Sequence, residues 1–381
     1  MVEREQLAVQ PLLGGLYRGI ARVAELLTTI PHRDAQCHQL ATSLLRTLQL
    51  ETDTMVNDSG ASLSYYHGPA SCLAAAHRRS QAFGFSAPWL RHHYDRFLTT
   101  VESITPDDIK PGALLDVMEG PAGLIIALRH HSDVRIRKLC HRLGLLLTDA
   151  ASEGWGSKKV CALSRNASFA HDAGGMGTAV LIAAGMGSDP DMVDSWRAAW
   201  EFENTFKLEE GWNDARSPGD NHSTQWCHGL AGIALARTVW LQTIEDSAFL
   251  RSVVTPDEVA RIRADLEEAA DLLVRDLEKS GSPSLCHGVA GGALVLDLAG
   301  RQLRRPDWRE TASDLVARGG ATLSRCPWMW GKHDVRDFGI MTGPGRWRRT
   351  APAGPGAHRW YGRYGMRIVL QQSEQDCLLA C

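Results

Sequence analysis

Residues 225–232 have the sequence QWCHGLAG, and residues 284–291 have the sequence SLCHGVAG. The shared pattern is Cys-His-Gly-x-Ala-Gly, and its two copies lie 59 residues apart. Such a pair is improbable as a chance recurrence. Thiolate and imidazole groups are the ligands that zinc prefers, and three protein ligands leave a fourth position open for chemistry. The two segments therefore indicate a metal centre assembled from two copies of one structural unit.

A glycine-containing element of the same kind recurs along the chain. Its anchor residues lie at positions 68, 120, 172, 229, 288 and 343, and all of them are glycine except Asp172. The spacings are therefore 52, 52, 57, 59 and 55 residues. A fainter copy lies near residues 13–19. Nearly constant spacing of this kind is the signature of a structural unit that is used repeatedly.

Each copy leads into a segment of small and aliphatic residues, such as 124–128, that predicts a helix. An amphipathic segment such as 259–277 follows, with apolar residues at helical spacing. Each unit is therefore predicted to be a helical hairpin with an apolar inner helix and an amphipathic outer helix. Such hairpins can stack as a solenoid or close into a ring. Because a ring lets ligands from two units share one metal, we predict an all-α fold, an α/α toroid of about six to seven hairpins.

The composition argues against several classes of protein. The chain has 381 residues and a formal charge of -3, and this balance gives no electrostatic footprint for nucleic acid or an anionic membrane. No segment approaches the roughly 20 apolar residues of a membrane span. Residues 1–6 do not resemble a secretory signal, and nine scattered cysteines are not a typical disulfide framework. We therefore expect a cytoplasmic protein with no nucleic-acid partner and no membrane span.

The expected metal ligands are Cys227, Cys286 and His287, because two thiolates and one imidazole match a catalytic zinc pattern. They lie one or two residues before the anchor glycines of the fourth and fifth copies. His228 has the same local position as His287. A fourth protein ligand would close the site, so we expect His228 to point elsewhere. The alternative is that these residues are buried cysteines and helix-end histidines without a metal.

Two further residues are candidates for acid–base catalysis. His171 comes directly before the third anchor, and Asp116 comes four residues before the second. A histidine that is oriented by a carboxylate can move a proton near neutral pH. The alternative is structural, since both residues can act as caps of their helices. His67 and Glu119 hold equivalent positions and are candidates to line the cavity.

These motifs resemble those of the lanthionine synthetase C-like proteins, the LanC-type lantibiotic cyclases. The resemblance covers roughly residues 60–345 and is carried by 115–123 (LDVMEGPAG), 170–172 (AHD), 226–229 (WCHG) and 285–291 (LCHGVAG). It implies a double-layered α/α barrel with zinc at one end. At the matching positions it implies that Cys227, Cys286 and His287 bind zinc. It also implies that His171 is the acid–base residue and that Asp116 is the aspartate of the family's motif.

The resemblance also implies an activity. A cysteine of a precursor peptide, activated by zinc, would add to a dehydroalanine or dehydrobutyrine of the same peptide and form a lanthionine or methyllanthionine ring. The implied substrate is a dehydrated precursor peptide, leader plus core, and the implied further partners are a dehydratase and a peptide exporter. Three alternatives stay open at this point: addition of a free thiol such as glutathione, a catalytically impaired binding or scaffold protein, and a toroid that acts on glycans through two carboxylates.

The chain departs from the repeat pattern in three places. Asp172 replaces a glycine, so we expect the third turn to be built differently, and Ser71 replaces the second glycine of the first copy. After Gly343 the expected apolar helix is missing, and residues 344–381 hold six arginines and no lysine. We therefore divide the chain into a barrel domain at 1–345 and an atypical Arg/Gly-rich tail at 346–381.

Overall fold

The computed structural model describes single positions between 39 and 49 and residues 63–325, apart from 67, 75–87, 104–114, 132, 158–159, 161–166, 168, 215–221 and 281–284. Within these residues the chain is helical, and residues 69–74 belong to the first inner helix. The further helices are α1 Trp89–Ser103, α2 Pro121–Leu128, α3 Val134–Ala150, α4 Ala173–Gly187, α5 Pro190–Asn204, α6 Leu230–Asp246, α7 Ala248–Val253, α8 Pro256–Asp276, α9 Val289–Gln302 and α10 Pro306–Arg325. Short 3-10 segments extend α3 and α8, at Ala151–Glu153 and Leu277–Ser280.

The helices alternate between an apolar inner layer and an amphipathic outer layer. Every residue of α4 from Ala173 to Ala184 is buried, and so is every residue of α6 from Leu230 to Leu241. The outer helix α8 buries one face, and it begins with a capping box formed by Thr255 and Glu258. The inner helices α2, α4, α6 and α9 pack side by side in chain order, and each also packs against an outer helix. The predicted hairpins are therefore confirmed for the described part of the chain.

Each inner helix starts from a turn that ends at a cap residue. We number these turns 1 to 5 by their caps, which are Gly68, Gly120, Asp172, Gly229 and Gly288. The four caps of turns 2 to 5 share an extended backbone. Asp172 adopts this conformation with φ -138° and ψ -163°, so the expectation of a different third turn is wrong for the cap itself.

A second glycine lies three residues after the cap in turns 2 to 5, and each one makes the same close contact. A Cβ atom at these positions would lie between 1.8 and 2.5 Å from the carbonyl oxygen of the residue three before the cap. The missing side chain therefore lets the turn carbonyl lie directly against the backbone of the inner helix. The four positions are Gly123, Gly175, Gly232 and Gly291. In turn 1 this place is taken by Ser71, whose hydroxyl donates to the carbonyl of Gly68 at 3.0 Å.

Backbone hydrogen bonds join neighbouring turns into a ladder at one end of the inner layer. The bonds run from Val117 N to Ala170 O (3.1 Å), from Ala170 N to Cys227 O (3.3 Å) and from Trp226 N to Cys286 O (3.0 Å). The middle bond starts one position later in its turn than the other two, and this is where the third turn differs. The ring of Tyr66 in turn 1 lies 6.2 Å from the ring of Trp226 in turn 4. The turns therefore converge on one axis instead of spreading along a surface.

Arg237 ties the inner layer to the outer layer. It lies on α6, it is fully buried, and its guanidinium pairs with Glu203 of α5 and Asp265 of α8. Lys207, in the loop that follows α5, pairs with Asp265 at 2.9 Å. Loss of one partner would leave a buried charge without compensation, which typically costs about 3–5 kcal/mol. The network therefore fixes α6, whose first turn follows Gly229, relative to its two outer neighbours.

Several sequence expectations fall outside the described residues. They concern the faint copy at 13–19, the sixth copy at Gly343, His67 and the tail at 346–381. Of the helices that are described, none is both long enough and apolar enough to cross a lipid bilayer.

The close contact of the second glycine predicts a strong effect of one methyl group. In Gly123→Ala the new Cβ would lie 2.0 Å from the carbonyl oxygen of Val117, and we expect the free energy of unfolding to fall by at least about 3 kcal/mol. Gly185→Ala is the matched control in an inner helix, because its Cβ would meet a Leu250 methyl group at 3.0 Å. The gain in helix propensity, about 1 kcal/mol, should offset that crowding. Urea unfolding measures both, and equal stability of the two variants would contradict the expectation.

Candidate metal centre and acid–base pair

Turns 4 and 5 bring the two Cys-His-Gly copies together. The ladder bond from Trp226 N–H to the Cys286 carbonyl sets the two turns beside each other. The ligand atoms of Cys227, Cys286 and His287 all lie within 4.8 Å of one another, and Cys286 Sγ is 3.9 Å from His287 Nε2. Across the described ranges this is the one cluster of three or more His, Cys, Asp or Glu side chains with such spacing. The three residues expected from the sequence are thus neighbours.

The chemistry of this donor set fits a zinc ion. Both cysteines are buried and His287 is half-buried. The hydrogen bond with Cys286, then burial, and then the charge of Cys286 raise the pKa of the Cys227 thiol well above its usual range, since each of them disfavours the thiolate. A divalent cation removes that penalty, since a coordinating thiol is deprotonated. Two sulfurs and one imidazole nitrogen are a set that zinc prefers.

Turns 2 and 3 bring His171 and Asp116 together, the two residues expected to form an acid–base pair. His171 Nδ1 lies 2.9 Å from Asp116 Oδ2, and Asp116 Oδ1 accepts a hydrogen bond from the Glu119 N–H at 2.6 Å. The Asp116 side chain is 3% exposed and that of His171 is 22% exposed. Burial lowers the pKa of His171, but the hydrogen bond and charge of Asp116 raise this pKa by more, so the net pKa lies above its usual value.

His228 contacts His171. It directly follows Cys227, and its ring stacks on His171 with centroids 5.0 Å apart and planes inclined by 23°. The ring of His228 packs against one face of the His171 imidazole. The geometry therefore groups His228 with His171, and it lies outside the three-residue ligand cluster.

One residue at the site was not singled out in the sequence. Cys227 Sγ lies 3.7 Å from Gln225 Oε1, and Gln225 comes four residues before the cap of turn 4. Asp116 occupies the same position of turn 2. Comparison of equivalent positions across the copies is the signal that would have identified it. Glu119 is exposed beside Asp116, and its role in lining the cavity stays a prediction.

The fold and this donor set define a helical toroid with a thiolate-rich candidate metal centre where the turns converge. The chain belongs to the lanthionine synthetase C-like protein family, whose model matches residues 11–344. The chain is 28% identical over 196 residues to the lacticin 481/lactococcin biosynthesis protein of Lactococcus lactis subsp. lactis. The match covers 51% of this chain and 19% of that protein, so the chain spans only a minor part of its relative's length.

A solved structure shows the same architecture. The structure of a nisin cyclase is similar with a TM-score of 0.66 and 15% sequence identity, over 96% of this chain and 92% of that chain. At this level of identity the likeness concerns the fold. The predicted all-α toroid is therefore confirmed.

The pair in turns 2 and 3 predicts how His171 titrates. Because its pKa is raised, the pair stabilises the folded chain at low pH, and this contribution is lost as the pH rises through the pKa of folded His171. In Asp116→Asn the carboxylate that raises the pKa of His171 is removed, while the burial that lowers this pKa remains. The pKa of His171 should therefore be lower than in the parent. Nuclear magnetic resonance of the ring protons, assigned with a His171→Gln variant, measures this.

A matched control uses a histidine–aspartate pair elsewhere in the chain, between His141 and Asp189. Asp189→Asn removes the carboxylate that lies 3.1 Å from His141 Nε2, beyond the C-terminus of α4, and should leave the His171 titration as in the parent. An unchanged pKa of His171 in Asp116→Asn would show that the carboxylate does not control the ring.

Proposed function

We propose that this chain is a zinc-dependent peptide cyclase. It joins a cysteine of a dehydrated precursor peptide to a dehydroalanine or dehydrobutyrine of the same peptide, and the product is a lanthionine or methyllanthionine ring. The observation that carries the proposal is one cluster of turns that holds both a Cys/Cys/His donor set and a His–Asp pair, linked by a ring stack. The names of the two related proteins support the same class of reaction.

Cys227, Cys286 and His287 are the residues proposed to hold zinc. Zinc in this site would supply the Lewis acidity that favours the thiolate form of a substrate cysteine at neutral pH. With His228 against His171 and outside this cluster, a zinc ion held by the three side chains would be open to a sulfur ligand from the substrate. Convergence of the turns at the axis orients the peptide, so that the reacting atoms meet within one molecule.

His171 is proposed to move the proton. The reaction forms a bond between sulfur and the β-carbon, breaks the double bond between the α- and β-carbons, and adds a proton to the α-carbon. Asp116 accepts the hydrogen bond from Nδ1–H, so Nε2 is the nitrogen proposed to exchange a proton with the substrate. The raised pKa of His171 keeps a larger share of the ring protonated near neutral pH. The ring can therefore donate its proton to the α-carbon, and the proton released by the substrate thiol replaces it on the ring, so the addition is proton-neutral overall.

The proposed catalytic unit is the barrel at residues 1–345, and the tail at 346–381 has no assigned part in the chemistry. A dehydratase that prepares the peptide and an exporter that removes it are the proposed partners. A cytoplasmic location remains our expectation from the cysteine content of the sequence.

The proposal can be tested with a synthetic peptide that holds one cysteine and one dehydroalanine. Cyclisation leaves the mass unchanged but consumes the thiol, so the product no longer reacts with N-ethylmaleimide, and mass spectrometry follows this loss. We expect Cys227→Ala and Cys286→Ala to lose bound zinc and to slow ring formation at least about 100-fold. His171→Gln should slow it by about 100-fold or more while zinc is retained.

Cys140→Ala is the matched control. Cys140 is a fully buried cysteine of α3 that lies apart from the site, so this variant should keep both zinc and activity. With glutathione added to the assay, a product heavier by one glutathione, and no ring, would favour addition of a free thiol. A zinc-loaded chain that binds the peptide without converting it would favour a scaffold. Parent and Cys227→Ala with equal zinc content would contradict the assigned ligands.

A further inference from the structure

We propose that Gln225 is a positioning residue of the metal centre, whose side-chain amide donates a hydrogen bond to the Cys227 sulfur when that sulfur is a metal ligand. The inference rests on the proposed function, because it requires a metal at Cys227, Cys286 and His287. It is carried by the surroundings of the Cys227 sulfur, by the rigidity of the segment before it, and by a parallel with turn 2.

Two groups outside the ligand set lie close to Cys227 Sγ in the part of the chain that the structure describes. They are the backbone carbonyl of Cys286 and the amide oxygen of Gln225, each at 3.7 Å. A carbonyl oxygen accepts a hydrogen bond from a thiol but cannot donate one to a thiolate. The glutamine side chain carries an acceptor and a donor on one planar group, which a half-turn exchanges. Of these two neighbours, Gln225 alone can satisfy both forms of the sulfur.

The backbone of Gln225 is held in place from several sides. Its N–H donates to Ser223 Oγ at 3.2 Å, and the Ser223 carbonyl accepts from the N–H of Leu230 at 2.7 Å. A Cβ on Gly229 would lie 2.1 Å from the Ser223 oxygen and 3.0 Å from the Gln225 nitrogen, so the segment is folded directly onto the cap of turn 4. The backbone from which the Gln225 side chain projects is therefore held in place, and only the side-chain torsions have to be ordered when the amide donates.

The same register position already holds a functional side chain in another turn. Asp116 lies four residues before the cap of turn 2, and its carboxylate orients His171 at 2.9 Å. Gln225 lies four residues before the cap of turn 4. In both turns this position supports a side chain near the axis. A neutral amide suits a thiolate, because it donates without adding a second negative charge next to the sulfur.

The expected consequence is measurable without a substrate. A donor to a metal-bound thiolate withdraws charge from the sulfur and supports the ligand in its deprotonated form. Loss of such supporting partners typically weakens metal binding by about 10–100-fold. With cobalt in place of zinc, loss of the donor raises the energy of the sulfur electrons. The sulfur-to-cobalt charge-transfer band should then move to longer wavelength.

The experiment compares the parent with Gln225→Met, which keeps the length of the side chain and removes the amide. We expect zinc to bind at least about tenfold more weakly in competition with a chromogenic chelator, and the charge-transfer band of the cobalt-loaded chain to shift to longer wavelength. Gln302→Met is the matched control, since Gln302 ends α9, away from the turns, and donates to Glu245. It should change neither the affinity nor the band.

The outcomes separate this inference from the proposed function. If the cobalt-loaded parent shows the charge-transfer band, and Gln225→Met keeps both the zinc affinity and the band, the role of Gln225 is overturned. The metal centre is then left intact. A parent without any sulfur-to-cobalt band would overturn both. If Gln225→Met does not fold, Gln225→Glu carries the same test, because its carboxylate has the glutamine shape and lacks the N–H donor, and an unshifted band there would contradict the inference.

Discussion

The whole structure depends on a contact that only glycine permits. In turns 2 to 5 the carbonyl three residues before the cap lies against the inner-helix backbone three residues after it. This contact fixes the angle between turn and helix, and thereby the direction in which the residues just before the cap project. Since four turns repeat it, their backbones meet at one level and form the ladder of hydrogen bonds. The distance between Cys227 and Cys286 is a result of that alignment.

Much of the architecture could be predicted because the repeat is visible in the residues themselves. The glycines mark each turn, and the apolar segments that follow mark the inner helices. The proximity of Cys227, Cys286 and His287 could be predicted because two copies carry the Cys-His motif in the same register. The closed ring could be predicted because it lets residues of two copies meet at one axis, and the turns do converge.

Other parts depend on contacts between repeats, and a single sequence does not reveal those. The stack of His228 on His171 and the contact of Gln225 with Cys227 follow from how turns 3 and 4 face each other. In the sequence, Arg237 and its partners on two outer helices look like ordinary charged residues, and only the structure shows that they pair in the interior. The expectation for Asp172 failed at the cap because an extended backbone suits any residue. The third turn differs instead in the ladder of hydrogen bonds, where its donor, Ala170 N, lies one position later in the turn than the donors of turns 2 and 4.

The ladder also shows that one backbone frame occurs twice around the ring. The bonds from Val117 to Ala170 and from Trp226 to Cys286 join the same positions of their turn pairs. Met118, Ala170 and His171 therefore stand in turns 2 and 3 where Cys227, Cys286 and His287 stand in turns 4 and 5. The two pairs differ in chemistry through a few side chains on an equivalent scaffold. A function could therefore move from one pair of turns to the other, by natural drift or by design, through exchange of side chains on an unchanged main chain.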